Sequence, residues 1–169
     1  LAPVHPHVVR LQARPPNVEG AGTVTLRDLV RQALRMRPDR LVLGEVRGAE
    51  IVDLFAALNT GHDGSLTTLH ANSAADVPPR IEALAALAGL PRAAAHSQLA
   101  ATVRVVLHLR RLPDGRRQIA EVAVLMPDRD GFVRPVTALD IQGSSPRHGP
   151  AAGELARLVA GREVSIPQL

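Results

Sequence analysis

Apolar residues recur along this chain with two different periods. Leu26, Leu29, Val30, Ala33 and Leu34 fall at i, i+3, i+4, i+7 and i+8, which makes one apolar face of a helix. Thr25 precedes that face as an N-cap, Asp28 sits three residues on as its capping partner, and Pro38 ends the helix. Residues 41–46 form a continuous apolar run broken only by Gly44 and Glu45, the pattern of a strand covered on both faces of a parallel sheet. A second helical face follows in Ile51, Leu54, Phe55 and Leu58, with Gly61 placed to end it, and residues 65–70 return as a strand. Strand, helix and strand over about 30 residues predict a βαβ unit with a right-handed crossover.

The flanks read differently. Residues 8–12 suit a short strand, followed by a loop enforced by Pro15, Pro16, Gly20 and Gly22. Asp76 with Pro78 and Pro79 starts a helix carrying Ile81, Leu84 and Leu87 that ends near Gly89, and a short Ala-rich helix spans residues 93–101. Residues 103–109 and 118–125 flank a turn at Pro113, Asp114 and Gly115. A second turn at Asp130 and Gly131 leads into residues 132–139, which predicts an antiparallel meander. Residues 142–150 have the composition of a flexible linker, and a short amphipathic helix over 154–160 and a polar tail follow. The fold class is α/β.

Composition changes this picture in one respect. All 20 basic residues are Arg, so the chain holds no phosphate-binding loop of the type GxxxxGK[ST], whose Lys must reach the terminal phosphates. With no Cys there are no disulfides, thiolate metal sites or Cys nucleophiles. No apolar run approaches the roughly 18 residues of a membrane span, and the reading is of a soluble, cytoplasmic chain. The formal charge of +4 allows an Arg-rich nucleic-acid binder, but two Phe and no Tyr or Trp give no stacking platform.

The candidate chemistry lies between residues 41 and 72. Glu45 stands near the carboxyl end of its strand, where ligands meet a parallel α/β sheet, and a carboxylate there can orient or deprotonate an attacking water. A solvated or Arg47-paired glutamate is the plainer reading. His62 and His70 flank the strand of residues 65–70, with Thr67 between them as a further nucleotide contact; each histidine could meet a phosphate oxygen or simply be hydrogen-bonded structure. Their eight-residue separation matches no ordinary zinc spacing, and no metal site is expected. Arg10, Arg14, Arg37 and Arg47 fall near strand or loop ends, where guanidinium groups clamp phosphates or form surface ion pairs.

Taken together, LVLGEVRG followed by TGHDGSLTTLHAN closely resembles the Walker B segment and histidine box of the type II and type IV secretion ATPases. The flanking residues 5–40 resemble most the Tad (Flp) pilus and conjugal-transfer branch of that family. The resemblance runs to about residue 109. It implies the latter part of a RecA-like P-loop NTPase core with a mostly parallel sheet, then helices and the antiparallel meander. It implies that Glu45 activates water and that His62 and His70 sense the terminal phosphate. Arg10, Arg14, Arg37 and Arg47 match basic positions, some of which act across subunit boundaries.

On this reading residues 1–75 belong to the ATPase core, 76–141 add helices and antiparallel strands to the same domain, and 142–169 are the linker and terminal helix. The family's phosphate loop and acidic box are absent, and the Val77, Pro78, Pro79 stretch departs from the longer helix of the family. The implied function is therefore the C-terminal portion of a secretion or pilus-assembly motor, inactive alone. ATP and Mg2+ serve the full-length protein, and neither is expected to bind tightly here. The complete protein is expected to be a homo-oligomer, a hexamer, on inner-membrane secretion or pilus platform proteins, without specific nucleic acid, at the inner face of the cytoplasmic membrane. The alternative is a noncatalytic assembly module of the same fold.

Overall fold

A computed structural model describes residues 3–62, 64–143 and 145–160. The architecture is mixed α/β, with a small parallel sheet and a larger antiparallel one. The chain divides into two compact units, one of residues 1–70 with 83–92 and the other of 71–82 with 93–169.

In the first unit, helix α1 spans Leu26–Arg35. Its start is set locally. The Thr25 hydroxyl accepts from the Asp28 N–H, while the Asp28 carboxylate accepts from the Thr25 N–H at 2.9 Å, so two end donors are satisfied reciprocally. Past Met36 the chain passes through Arg37 with φ of 51°, a left-handed residue ahead of Pro38 that stops the helix. Helix α2, Glu50–Leu58, packs against α1 with Ile51, Leu54, Phe55 and Ala57 buried. Within that apolar face Asp53 is buried as well, its two oxygens 2.5 and 2.8 Å from Nε of Arg27 and Arg31. Those arginines are four residues apart, so they project from one side of α1 and grip one carboxylate on α2.

Strands β1 (Val42–Leu43) and β2 (Leu66–Thr67) pair in parallel, as the βαβ pattern requires. The mostly parallel sheet expected from the sequence is reduced to these two residues on each strand. Just past β1 the Gly44 carbonyl accepts from the Thr68 hydroxyl, a side-chain donor at the end of the ladder. Single bonds carry the pairing further: the Leu66 N–H donates to the Leu41 carbonyl and the Val46 N–H to the Thr68 carbonyl, both at 3.0 Å. The strand expected over residues 8–12 does not form. That segment is exposed and irregular, and the nearest order is an isolated bridge between Arg14 and Val24.

Helix α3 runs Val77–Leu87 after a 3-10 turn at Ala74–Asp76, and α4 runs Arg92–Thr102. Pro78 and Pro79 fit the first turn of α3, where a missing N–H removes no intrahelical bond. Ile81 and Leu84 are buried as their spacing predicts, but Leu87 is 72% exposed.

The second unit is built on the predicted meander. Strands β3 (Val105–Arg111), β4 (Arg117–Pro127) and β5 (Val133–Asp140) are antiparallel in that order. Gly115 and Gly131 supply the positive φ that the two turns need. The segment read as a linker contributes a fourth strand, β6 (Arg147–His148), paired to Leu139 and Asp140. An Arg147 to Asp140 ion pair at 2.7 Å and the Gly149 N–H to Ala138 carbonyl bond dock it there. A Cβ on Gly149 would collide with the Thr137 backbone, so glycine is required for that approach. Helix α5 (Ala152–Val159) then seats Leu155 against Val122, Val124, Ala138 and Leu139. Within the described residues no helix is long and apolar enough to cross a membrane.

Candidate functional site

Three of the side chains singled out in the sequence meet at the carboxyl ends of β1 and β2. Val46, 2% exposed, anchors the loop after β1 under the surface and leaves the two residues that flank it free to point outward together. Oε1 of Glu45 consequently lies 2.7 Å from Arg47 Nε and 2.5 Å from His70 Nε2. Glu45 is the recessed member, with its side chain 25% exposed, while Arg47 and His70 are open to solvent. Oε1 itself is closed to solvent, and its two neighbours hold it as ion-pair contacts without hydrogen-bond alignment.

Arg47 beside Glu45 lowers the Glu45 pKa from its ordinary value. Partial burial opposes the shift, and the charges of Arg47 and His70 add to it. Glu45 is therefore ionised at neutral pH and can accept a proton. The arrangement is that of a carboxylate acceptor in close contact with an arginine and a histidine.

The loop between Glu45 and α2 is closed by a residue the sequence did not mark. Glu50, the first residue of α2, accepts on Oε1 from the N–H of Arg47 at 2.7 Å and of Gly48 at 2.9 Å. The residue at the N-cap position, Ala49, has no side chain to do this.

The remaining candidates stand apart from this cluster. His62 lies just past the end of α2, its Nδ1 3.0 Å from the Ala57 carbonyl and 3.2 Å from the Thr60 hydroxyl. Because a carbonyl only accepts, that contact places a proton on Nδ1. Thr67 sits on β2 with its hydroxyl 3.4 Å from the Thr68 carbonyl. Arg14 donates to the Gly22 carbonyl at 2.8 Å, Arg37 terminates α1 and Arg10 is exposed in the irregular N-terminal segment. Among the described residues no group of three or more His, Asp or Glu side chains could hold a metal ion.

Sequence reasoning also passed over His96 on α4, in the second unit. Its side chain is 4% exposed, its Nδ1 accepts from the Val133 N–H at 2.8 Å, and its Nε2 lies 2.7 Å from Glu82. The backbone donor requires a lone pair on Nδ1, so the neutral ring carries its proton on Nε2 toward the carboxylate. Phe132 meets the ring edge-on, 4.9 Å between centroids. Both partners are distant in sequence, and no local spacing announces them.

The α/β scaffold thus presents an ionised carboxylate, an arginine and a histidine at the ends of adjoining parallel strands, the place where ligands meet sheets of this kind. The chain belongs to the family of type II/IV secretion system proteins, whose family model matches residues 2–140. A protein of Mycobacterium tuberculosis named for conjugal transfer is 65% identical over 137 residues, 81% of this chain and 39% of the relative. The conjugal transfer protein TrbB of Rhizobium radiobacter is 36% identical over 95 residues, covering 56% of this chain and 29% of its own length. Among solved structures, the VirB11 ATPase of the Brucella suis type IV secretion system matches with 33% identity and a TM-score of 0.48, over 56% of this chain and 31% of that one. The chain thus spans about two fifths of the length of the mycobacterial relative.

Proposed function

We propose that this chain is the water-activating and phosphate-sensing part of a motor ATPase for type IV secretion or conjugal transfer. The observation that carries the reading is the meeting of Glu45, Arg47 and His70 at the ends of β1 and β2. Glu45 is held ionised at a strand end, which is what a base for an attacking water needs. His70 touches that same oxygen, so a change in its partner would be felt at Glu45, and this gives it the sensing role.

The residues present fit the hydrolytic edge of a nucleotide site and not its phosphate cradle. There is no Lys in the chain, and among the described residues no cluster suits Mg2+. When bound, ATP and Mg2+ would be held by other sequence of a longer protein, as the greater length of the relatives allows. On this reading the two parallel strands belong to a RecA-like core, His62 is a second sensor, and Thr67, Arg10, Arg14 and Arg37 serve the nucleotide of their own or a neighbouring subunit. The assembly is a ring, a hexamer, docked from the cytoplasmic side on membrane platform proteins, and Tad pilus biogenesis is among the machines it would suit.

The purified chain is expected to show no ATP turnover. Placed in the mycobacterial relative in exchange for the 137 matching residues, it is expected to support turnover. A chain that hydrolysed ATP by itself, with the activity abolished in Glu45→Gln, would overturn the division of labour. An inactive chimera that still bound ATP would favour a noncatalytic assembly module.

A further inference from the structure

We propose that Glu50 is a positioning residue for Glu45, acting through the backbone of the loop between them. The inference rests on the reading of Glu45 as the water-activating carboxylate. Val46 holds the loop from beneath, its N–H bonded to the Thr68 carbonyl of the neighbouring strand and its side chain buried. Glu50 holds it from the other end. One carboxylate oxygen takes both the Arg47 and the Gly48 N–H, and the backbone direction at Arg47 sets where its guanidinium lies. Arg47 in turn is the main cause of the lowered Glu45 pKa and touches Oε1 at 2.7 Å. A chain of contacts therefore leads from the first turn of α2 to the carboxylate that would meet water.

Gly48 supplies an independent handle on the same link. Its φ lies outside the left-handed region, so its backbone tolerates a side chain. A Cβ there would stand 3.0 Å from Glu50 Oε2 and meets no other group besides that carboxylate. Gly48→Ala must therefore push the Glu50 carboxylate aside by a few tenths of an ångström, acting on Oε2 beside the accepting Oε1, while Glu50→Gln keeps an oxygen that can accept the same N–H groups.

The test uses the isotopically labelled chain, with hydrogen exchange at the Arg47 and Gly48 amides and carbon-detected titration of the Glu45 carboxyl. Charge-assisted bonds of this kind protect amides, and their loss in Glu50→Ala is expected to speed exchange at both by roughly tenfold or more. In the same variant the Glu45 midpoint moves up toward that of an ordinary glutamate as Arg47 loosens. Gly48→Ala shifts the Glu45 midpoint in the same direction, and the double variant adds little to either single one. Glu50→Gln stays near wild type. Unchanged exchange at α1 amides in every variant checks that the first unit remains folded. Wild-type exchange and an unmoved Glu45 midpoint in Glu50→Ala and Gly48→Ala would overturn the proposal, as would a Gln variant indistinguishable from Ala. Neither readout involves hydrolysis, so a failure of the ATPase reading would appear in turnover and leave these results as they are.

Discussion

In the chimera with the mycobacterial relative, Glu45→Gln is expected to lower ATP turnover by roughly 10²–10⁴-fold, the range for loss of a positioned general base. Gln has nearly the same shape and still accepts hydrogen bonds, but it cannot take a proton from water. Nucleotide affinity should therefore stay within a few-fold of the parent, and the loss should fall on kcat with little change in KM. His70→Gln makes an informative companion because it leaves the carboxylate with Arg47 alone. Steady-state phosphate release with parallel nucleotide binding separates the two steps. Turnover within about threefold of the parent in Glu45→Gln would remove Glu45 from the chemistry.

Phe55→Ala is expected to cost about 3–5 kcal/mol, since Phe55 is 1% exposed on the inner face of α2 and its loss leaves a cavity. Against a typical domain stability of about 5–15 kcal/mol, that loss removes a large share of what holds the first unit folded. Leu87→Ala, at a 72% exposed position, is the control and should change stability by about 0.5 kcal/mol or less. The chain has no Tyr or Trp, so circular dichroism under urea and hydrogen exchange of α2 are the suitable readouts. A Phe55→Ala cost below about 1 kcal/mol would contradict the burial of that ring.

Which features could be seen in advance follows from how far their causes reach. The Thr25 and Asp28 cap and the α2 face are local, and both are present in the structure. The turns at Gly115 and Gly131 are likewise set by adjacent residues, and with them the order of β3, β4 and β5. The strand expected over residues 8–12 has the right composition, yet among the described residues no strand pairs with it, and composition cannot supply a partner. The converse holds for β6. The glycines, serines and prolines of residues 142–150 read as a linker, but an ion pair from Arg147 to Asp140 and a close backbone approach at Gly149 make β6 part of a sheet.

The site shows the same division. Glu45, Arg47 and His70 carry recognisable residue types at strand ends, and the parallel pairing of β1 with β2 unites them. Glu50 escaped notice because a glutamate opening a helix is ordinary, and only the geometry shows its carboxylate turned back onto the preceding loop. Asp53 was hidden in the apolar face of α2, since its partners Arg27 and Arg31 lie more than 20 residues away.

The most direct test of the central claim is hydrogen exchange of residues 41–72 in the chimera, with and without Mg2+ and a non-hydrolysable ATP analogue. A bound terminal phosphate at the ends of β1 and β2 should slow exchange at the loop from Glu45 to Gly48 and around His70. Protection confined to other parts of the chimera, with these residues unchanged under saturating nucleotide, would contradict the assignment of a nucleotide site to Glu45, Arg47 and His70.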